Sequence, residues 1–262
     1  MSAILELQGV SMSFGGLKAV DNLSFSVNEN EIVSIIGPNG SGKTTTFNVI
    51  SGLYEPDSGD ILLKGESVAG MRPDQVHDKG ISRTFQSLRL FSNMSVLENV
   101  LVGMHSVTDA GLLASMLRLP KVRREEKAMR ERAQEILDMF PGRFSGPRQQ
   151  QPAFSLSYAN RRRLEIARAL ASNPTLLMLD EPVAGMNPME SHEVMEQIKI
   201  LRDKGYTIVM IEHDMHVVEG VSDRVIAMDH GVKIAEGTYH EVANDPQVVE
   251  AYLGKRAAEA TA

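Results

Sequence analysis

The sequence predicts an α/β fold: a mixed sheet, with central parallel strands plus N-terminal antiparallel strands, and a helical subdomain. Three observations predict it. The runs Glu31–Ile36, Thr175–Leu179 and Thr207–Ile211 are nearly continuously apolar, as central strands covered on both faces are. Nearer the N-terminus, Ile4–Val10, Leu23–Val27 and Ile61–Leu63 are short alternating runs set off by Gly, Asn and Asp, the mark of half-buried antiparallel strands. Between Pro73 and Asn173 the strand signal nearly vanishes and charged helical segments replace it. The chain therefore reads as one domain, 1–262, with a core from 1–72 and 174–262 and a helical subdomain over 73–173.

Each later element has its own signal. Lys121–Phe140 is helical, with Ala133, Ile136, Leu137 and Phe140 as its apolar face. The Gly, Pro, Arg and Gln cluster of Gly142–Pro152 reads as an exposed loop. After Asn187 and Pro188, apolar Val194, Ile198 and Leu201 recur at helical spacing and Gly205 offers a stop, which suits a crossover helix between parallel strands.

The composition excludes several classes. With 262 residues, 42% of them hydrophobic, the chain can bury a substantial core. Its apolar runs are far shorter than the ~20 residues of a membrane span, so a membrane role is expected to be peripheral. No secretory signal is visible, and the expected place is the cytoplasmic face of the membrane. Cysteine is absent, which removes disulfides and thiolate chemistry. Net charge is −7, which disfavours broad attraction to nucleic acid.

The segment GPNGSGKT, Gly37–Thr44, fills every fixed position of a P-loop between an apolar strand and a helix. Gly37, Gly40 and Gly42 let the backbone turn its N–H groups toward phosphate, aided by the positive end of the following helix. Lys43 is expected to reach the β- and γ-phosphates of ATP and Thr44 to ligate Mg²⁺. Asn39, Ser41 and Thr45 complete the nucleotide-binding candidates. Two carboxylates then end the second apolar run, at the sheet edge where open α/β sheets bind ligands. Asp180 is a metal candidate and Glu181 a candidate to polarise the attacking water.

Over essentially its full length the chain resembles the nucleotide-binding subunits of ABC transporters. Gln86, in RTFQSLRLF, matches the family's Q-loop glutamine, and the resemblance implies that it reaches Mg²⁺ and water. His213, in MIEHDM, matches the switch histidine that senses the γ-phosphate. Phe14, in SFGG, occupies the place of the aromatic that stacks on adenine; a core or turn aromatic is its alternative. LSYAN, Leu156–Asn160, matches the signature motif, with Ser157 implied to bind the γ-phosphate of ATP held by the opposing subunit. Ala159 and Asn160 replace the usual Gly and Gln. If position 159 sits close to phosphate or at positive φ, the added Cβ of Ala159 would cost about 1 kcal/mol or more and weaken the signature; at negative φ the change can be harmless.

FGGLKAV, GISRTFQ, MSVLENVLVG, AGMNP and VVEAYLG, together with extra helical length from Met104 to Phe140, resemble the larger ATPase of branched-chain amino-acid importers. That implies ATP hydrolysis driving uptake, with a second ATPase subunit, as heterodimer or homodimer, two membrane permeases and, indirectly, a substrate-binding protein. Alternatives are a regulatory subunit with weakened hydrolysis and an importer of urea or amides. Leu88, Leu90, Phe91 and Met94 are candidates for an apolar patch that receives a permease, or for burial within the subdomain. An ABC protein acting on ribosomes or DNA predicts two P-loops or a very long coiled-coil insertion, and the sequence has neither.

Overall fold

A computed structural model describes residues 3–104 and 120–253. The extra helical length expected from Met104 to Phe140 falls partly outside the described residues, as does Gly254 of VVEAYLG.

The antiparallel strands β1 (Ala3–Phe14), β2 (Leu17–Asn28), β4 (Ser58–Leu63) and β5 (Glu66–Ser67) form their own four-stranded sheet in the order β2-β1-β4-β5. Alternation sets its faces: Leu23, Phe25 and Val27 of β2 are buried, while Ser24 is exposed between them.

The second sheet holds β3 (Ile32–Ile36), β6 (Ile81–Arg83), β7 (Leu176–Asp180), β8 (Thr207–Ile211), β9 (Arg224–Asp229) and β10 (Val232–Gly237). Its order is β10-β9-β3-β8-β7-β6, parallel throughout except for the β10–β9 pair. Every residue of β3, β7 and β8 is buried. The two faces pack differently. Val33, Ile35, Met178 and Val209 join a core with the antiparallel sheet, and Ile32, Leu177, Leu179 and Met210 join a core made mainly of helices. Burial on both sides is why these strands read as continuous apolar runs.

The helices are α1 (Lys43–Ile50), α2 (Pro73–Asp78), α3 (Val96–Gly103), α4 (Pro120–Asp138), α5 (Tyr158–Leu170), α6 (Pro188–Asp203), α7 (Met215–Val221), α8 (Tyr239–Ala243) and α9 (Pro246–Leu253). Ala133, Ile136, Leu137 and Phe140 are all buried, as the periodicity predicts. Asn187 caps α6 by accepting from Glu190 N at 3.0 Å, and Pro188 occupies the first turn.

Two readings need correction. β6 lies inside the stretch without strand signal and pairs in parallel with β7; three residues are too few to display a period. Gly142–Pro152 is not simply an exposed loop, because Phe144 packs on Phe140 with ring centroids 5.8 Å apart and is fully buried in the helical core.

Candidate active site

Four neighbouring parallel strands, β3, β8, β7 and β6, end at the same sheet edge. Their carboxyl ends deliver the P-loop, His213, the Asp180–Glu181 pair and Gln86, so residues far apart in sequence converge by topology.

The P-loop turns between β3 and α1. Gly42 has φ 103°, and a Cβ there would sit 2.3 Å from the Ala19 carbonyl oxygen; at Gly37, φ 151°, it would sit 2.2 Å from Met228 O. Only glycine fits either position. Lys43 bends back into the loop, donating to Gly37 O at 2.7 Å and Pro38 O at 2.9 Å. Burial pulls its pKa down, and the nearby Glu181 carboxylate partly counters this. A cleft of about 470 Å³ opens here, walled by Asn39–Thr45 with Phe14, Gln86 and Glu181.

Glu181 directly follows β7 with φ 48°, an uncommon conformation for a side-chain-bearing residue, and its N–H donates to Ile211 O on β8 at 3.0 Å. Its Oε2 accepts from Gln86 Nε2 at 3.1 Å, and His213 Nδ1 lies 3.7 Å from its Oε1. The expected water activator, Q-loop glutamine and switch histidine thus meet at one carboxylate. Asp180 is buried behind them, its carboxylate paired with Arg83 at 2.8 Å.

Phe14 is 44% exposed on the cleft wall and packs edge-on against Tyr54, with centroids 5.2 Å apart. Ser157 stands apart from the cleft as the exposed N-cap of α5, accepting from Asn160 N at 3.4 Å. That leaves an outward-facing helix N-terminus suited to an anion. Ala159 lies within α5, is buried and is not among the positive-φ residues, so its Cβ puts no strain on its own backbone. Asn160 accepts from Arg163 Nη1 at 2.9 Å. Phe91 and Met94 are exposed, whereas Leu90 packs against the helical core.

Several residues escaped the sequence reading. Arg162 of α5 is fully buried and donates to Phe85 O at 2.5 Å and Gln86 O at 2.8 Å, and it pairs with Glu165 at 3.0 Å. Glu165 accepts from Arg89 N at 3.0 Å, and Arg168 donates to Arg89 O. The helix that begins at Ser157 therefore grips the backbone around Gln86. Burial pushes the Glu165 pKa up, opposed by the Arg89 amide and Arg162. Glu212 is completely buried and accepts from Val183 N at 3.2 Å, His213 N at 3.0 Å and Asp214 N at 3.4 Å. Its pKa is likewise raised by burial, against those three amides. One carboxylate thus ties the segment after Glu181 to the segment holding His213. The available signals were a charged residue directly before His213 and an Arg–Glu pair at i,i+3 in α5.

The oxygens of Thr44, Gln86 and Asp180 are hard donors of the kind Mg²⁺ prefers. Among the described residues no cluster of three or more His, Asp or Glu side chains suits a metal on its own.

Comparison with known proteins agrees with this geometry. Residues 20–184 match the ABC transporter family model, and residues 232–258 match that of the branched-chain amino acid ATP-binding cassette transporter. The high-affinity branched-chain amino acid transport ATP-binding protein LivG of Salmonella typhimurium is 44% identical over 96% of this chain and 98% of its own. BraF of Pseudomonas aeruginosa, with the same description, is 41% identical over 96% of this chain and 98% of its own. A crystal structure of the ADP conformation of an ATP-binding cassette of an ABC transporter superposes with TM-score 0.84 at 35% identity, covering 97% of this chain and 100% of that one.

Proposed function

The chain belongs to the ABC transporter family of ATP-binding proteins, and from that premise we propose that its ATPase activity powers uptake of branched-chain amino acids. The observation that carries the hydrolytic reading is the meeting of Gln86 and His213 at Glu181, beside the P-loop cleft. The substrate reading rests on the relatives' described transport and on the match over residues 232–258.

In this reading the P-loop amides and Lys43 hold the β- and γ-phosphates, Lys43 exchanging its carbonyl partners for phosphate oxygens. Asn39, Ser41 and Thr45 contribute along the same wall, and Phe14 stacks on the base. Thr44 and Asp180, with Gln86, would hold Mg²⁺, which would supply charge neutralisation on the phosphate oxygens. Glu181 orients and polarises water, steadied by Gln86, and His213 contacts the γ-phosphate. Ser157 serves the nucleotide of an opposing subunit.

Within residues 73–173, the part that follows β6 acts as a subdomain that moves with the signature helix α5 against a core of 1–72 and 174–262, to which β6 stays paired. A second ATPase, as heterodimer, and two permeases complete the transporter, with a binding protein delivering substrate. Through the permeases the chain attaches peripherally at the cytoplasmic face; no helix among the described residues is long and apolar enough to cross a membrane.

Reconstitution of the chain with its permeases and partner ATPase in proteoliposomes tests the reading. Leucine with its binding protein is expected to stimulate ATP hydrolysis and to accumulate. Stimulation by urea or a short amide in place of leucine overturns the substrate, and stimulated hydrolysis left unchanged by Glu181→Gln in this chain overturns its ATPase role in favour of a regulatory subunit.

A further inference from the structure

Arg83 ends β6 three residues before Gln86. Its side chain and that of Asp180 are 6% and 7% exposed, so the ion pair is largely buried. A buried pair of this kind is weak evidence for stability, because desolvation offsets most of the attraction and an apolar pair of similar size often does as well. The detail of its bracing points elsewhere. Nη2 donates to Asp180 Oδ2 at 2.8 Å, and Nη1 donates to Asn48 Oδ1 at 2.7 Å and Ser51 Oγ at 3.1 Å, both at the C-terminal end of the P-loop helix α1. The guanidinium carbon lies 5.3 Å from the Phe47 ring centroid and 5.2 Å from that of Phe85, so the plane is wedged as well as bonded. Thr84 then accepts from Asp180 N at 3.2 Å. Among the described residues Asp180 Oδ1 accepts no hydrogen bond.

We infer that Arg83 is a positioning residue for the metal: by holding Oδ2 of Asp180, it fixes Oδ1 as the oxygen presented to the Mg²⁺ that accompanies the nucleotide. The inference rests on reading Asp180 as a metal-binding residue. It gives the planar, forked guanidinium a job that a lysine cannot fill, since two nitrogens must bond Asp180 on one side and α1 on the other. It also links the metal site to α1, so the carboxylate and the phosphate loop are registered to one another through Asn48 and Ser51.

The test uses the full-length chain with ADP, which binds without turnover, and Mn²⁺ counted by electron paramagnetic resonance. Arg83→Met is expected to bind ADP as the wild type does in the absence of metal, while its ADP complex loses about 10- to 100-fold in Mn²⁺ affinity. Arg83→Lys recovers only part of this. Wild-type Mn²⁺ affinity in a folded Arg83→Met, alongside loss in Asp180→Asn, overturns the role of Arg83. Wild-type affinity in Asp180→Asn overturns the reading of Asp180 and the inference with it. If Arg83→Met does not fold, the double variant Asn48→Ala, Ser51→Ala carries the test, because it keeps the charge and removes the acceptors that aim it. Unchanged Mn²⁺ affinity there also overturns the proposal.

Discussion

Gln86 Nε2 and Glu181 Oε2 are 3.1 Å apart, so the residue proposed to activate water is held by a segment that is itself clamped to α5. Glu181→Gln keeps the shape and removes the base. Turnover is expected to fall about 10²- to 10⁴-fold while ATP binding persists, which single-turnover hydrolysis and a fluorescent-ATP titration separate.

Lys43 sits in the loop with its pKa lowered by burial. Lys43→Met removes both the proposed phosphate ligand and a charge that burial disfavours. Nucleotide binding is expected to be lost, with the melting temperature of the nucleotide-free protein at or above that of the wild type by calorimetry.

Glu212 supplies a pH prediction. Its pKa is raised in the folded protein from an ordinary 4.5, so just above pH 4.5 the native state binds more protons than the unfolded chain. That part of the stability is present below pH 4.5 and is lost as pH rises through the folded value. Glu212→Gln lacks this loss. Urea unfolding from pH 4 to 8 is expected to show the stability difference moving in the variant's favour as pH rises.

Ala159 sits in helical conformation, so replacing it with glycine relieves no backbone strain. Ala159→Gly is expected to lower stability by about 0.5–1 kcal/mol and to leave the turnover of the assembled transporter no higher. A rise in ATPase rate would instead show that the Ala159 Cβ crowds the phosphate, and that the signature is weakened.

Arg162→Met strands Glu165 without its full partner inside the protein. The expected loss is about 3–5 kcal/mol, measured by chemical denaturation. Adding Glu165→Leu is expected to return a good part of the stability but not the turnover, because the grip on Phe85 O and Gln86 O is still gone.

The central strands and the P-loop were legible because burial on both faces and a fixed glycine spacing leave local marks. Thr207–Ile211 matches β8 residue for residue, and Thr175–Leu179 differs from β7 by one position. β6 was not legible, since its reason for being a strand is its neighbour β7. The clamp of Arg162 and Glu165 was hidden for a related cause. Charged residues on a helix are read as facing water, yet here each finds its partner on another segment or one turn along, and only the tertiary structure reveals that. Arg83, Asp180 and Thr84 are likewise joined across nearly a hundred residues of chain.

Glu181 occupies a backbone conformation that costs an ordinary side chain about 1 kcal/mol or more. Directed evolution for heat resistance alone, run on this gene with no selection for transport, is therefore expected to accept Glu181→Gly or Glu181→Asn early. Its most durable descendants would be inert, and the position where durability and work pull apart would be the residue proposed to activate water.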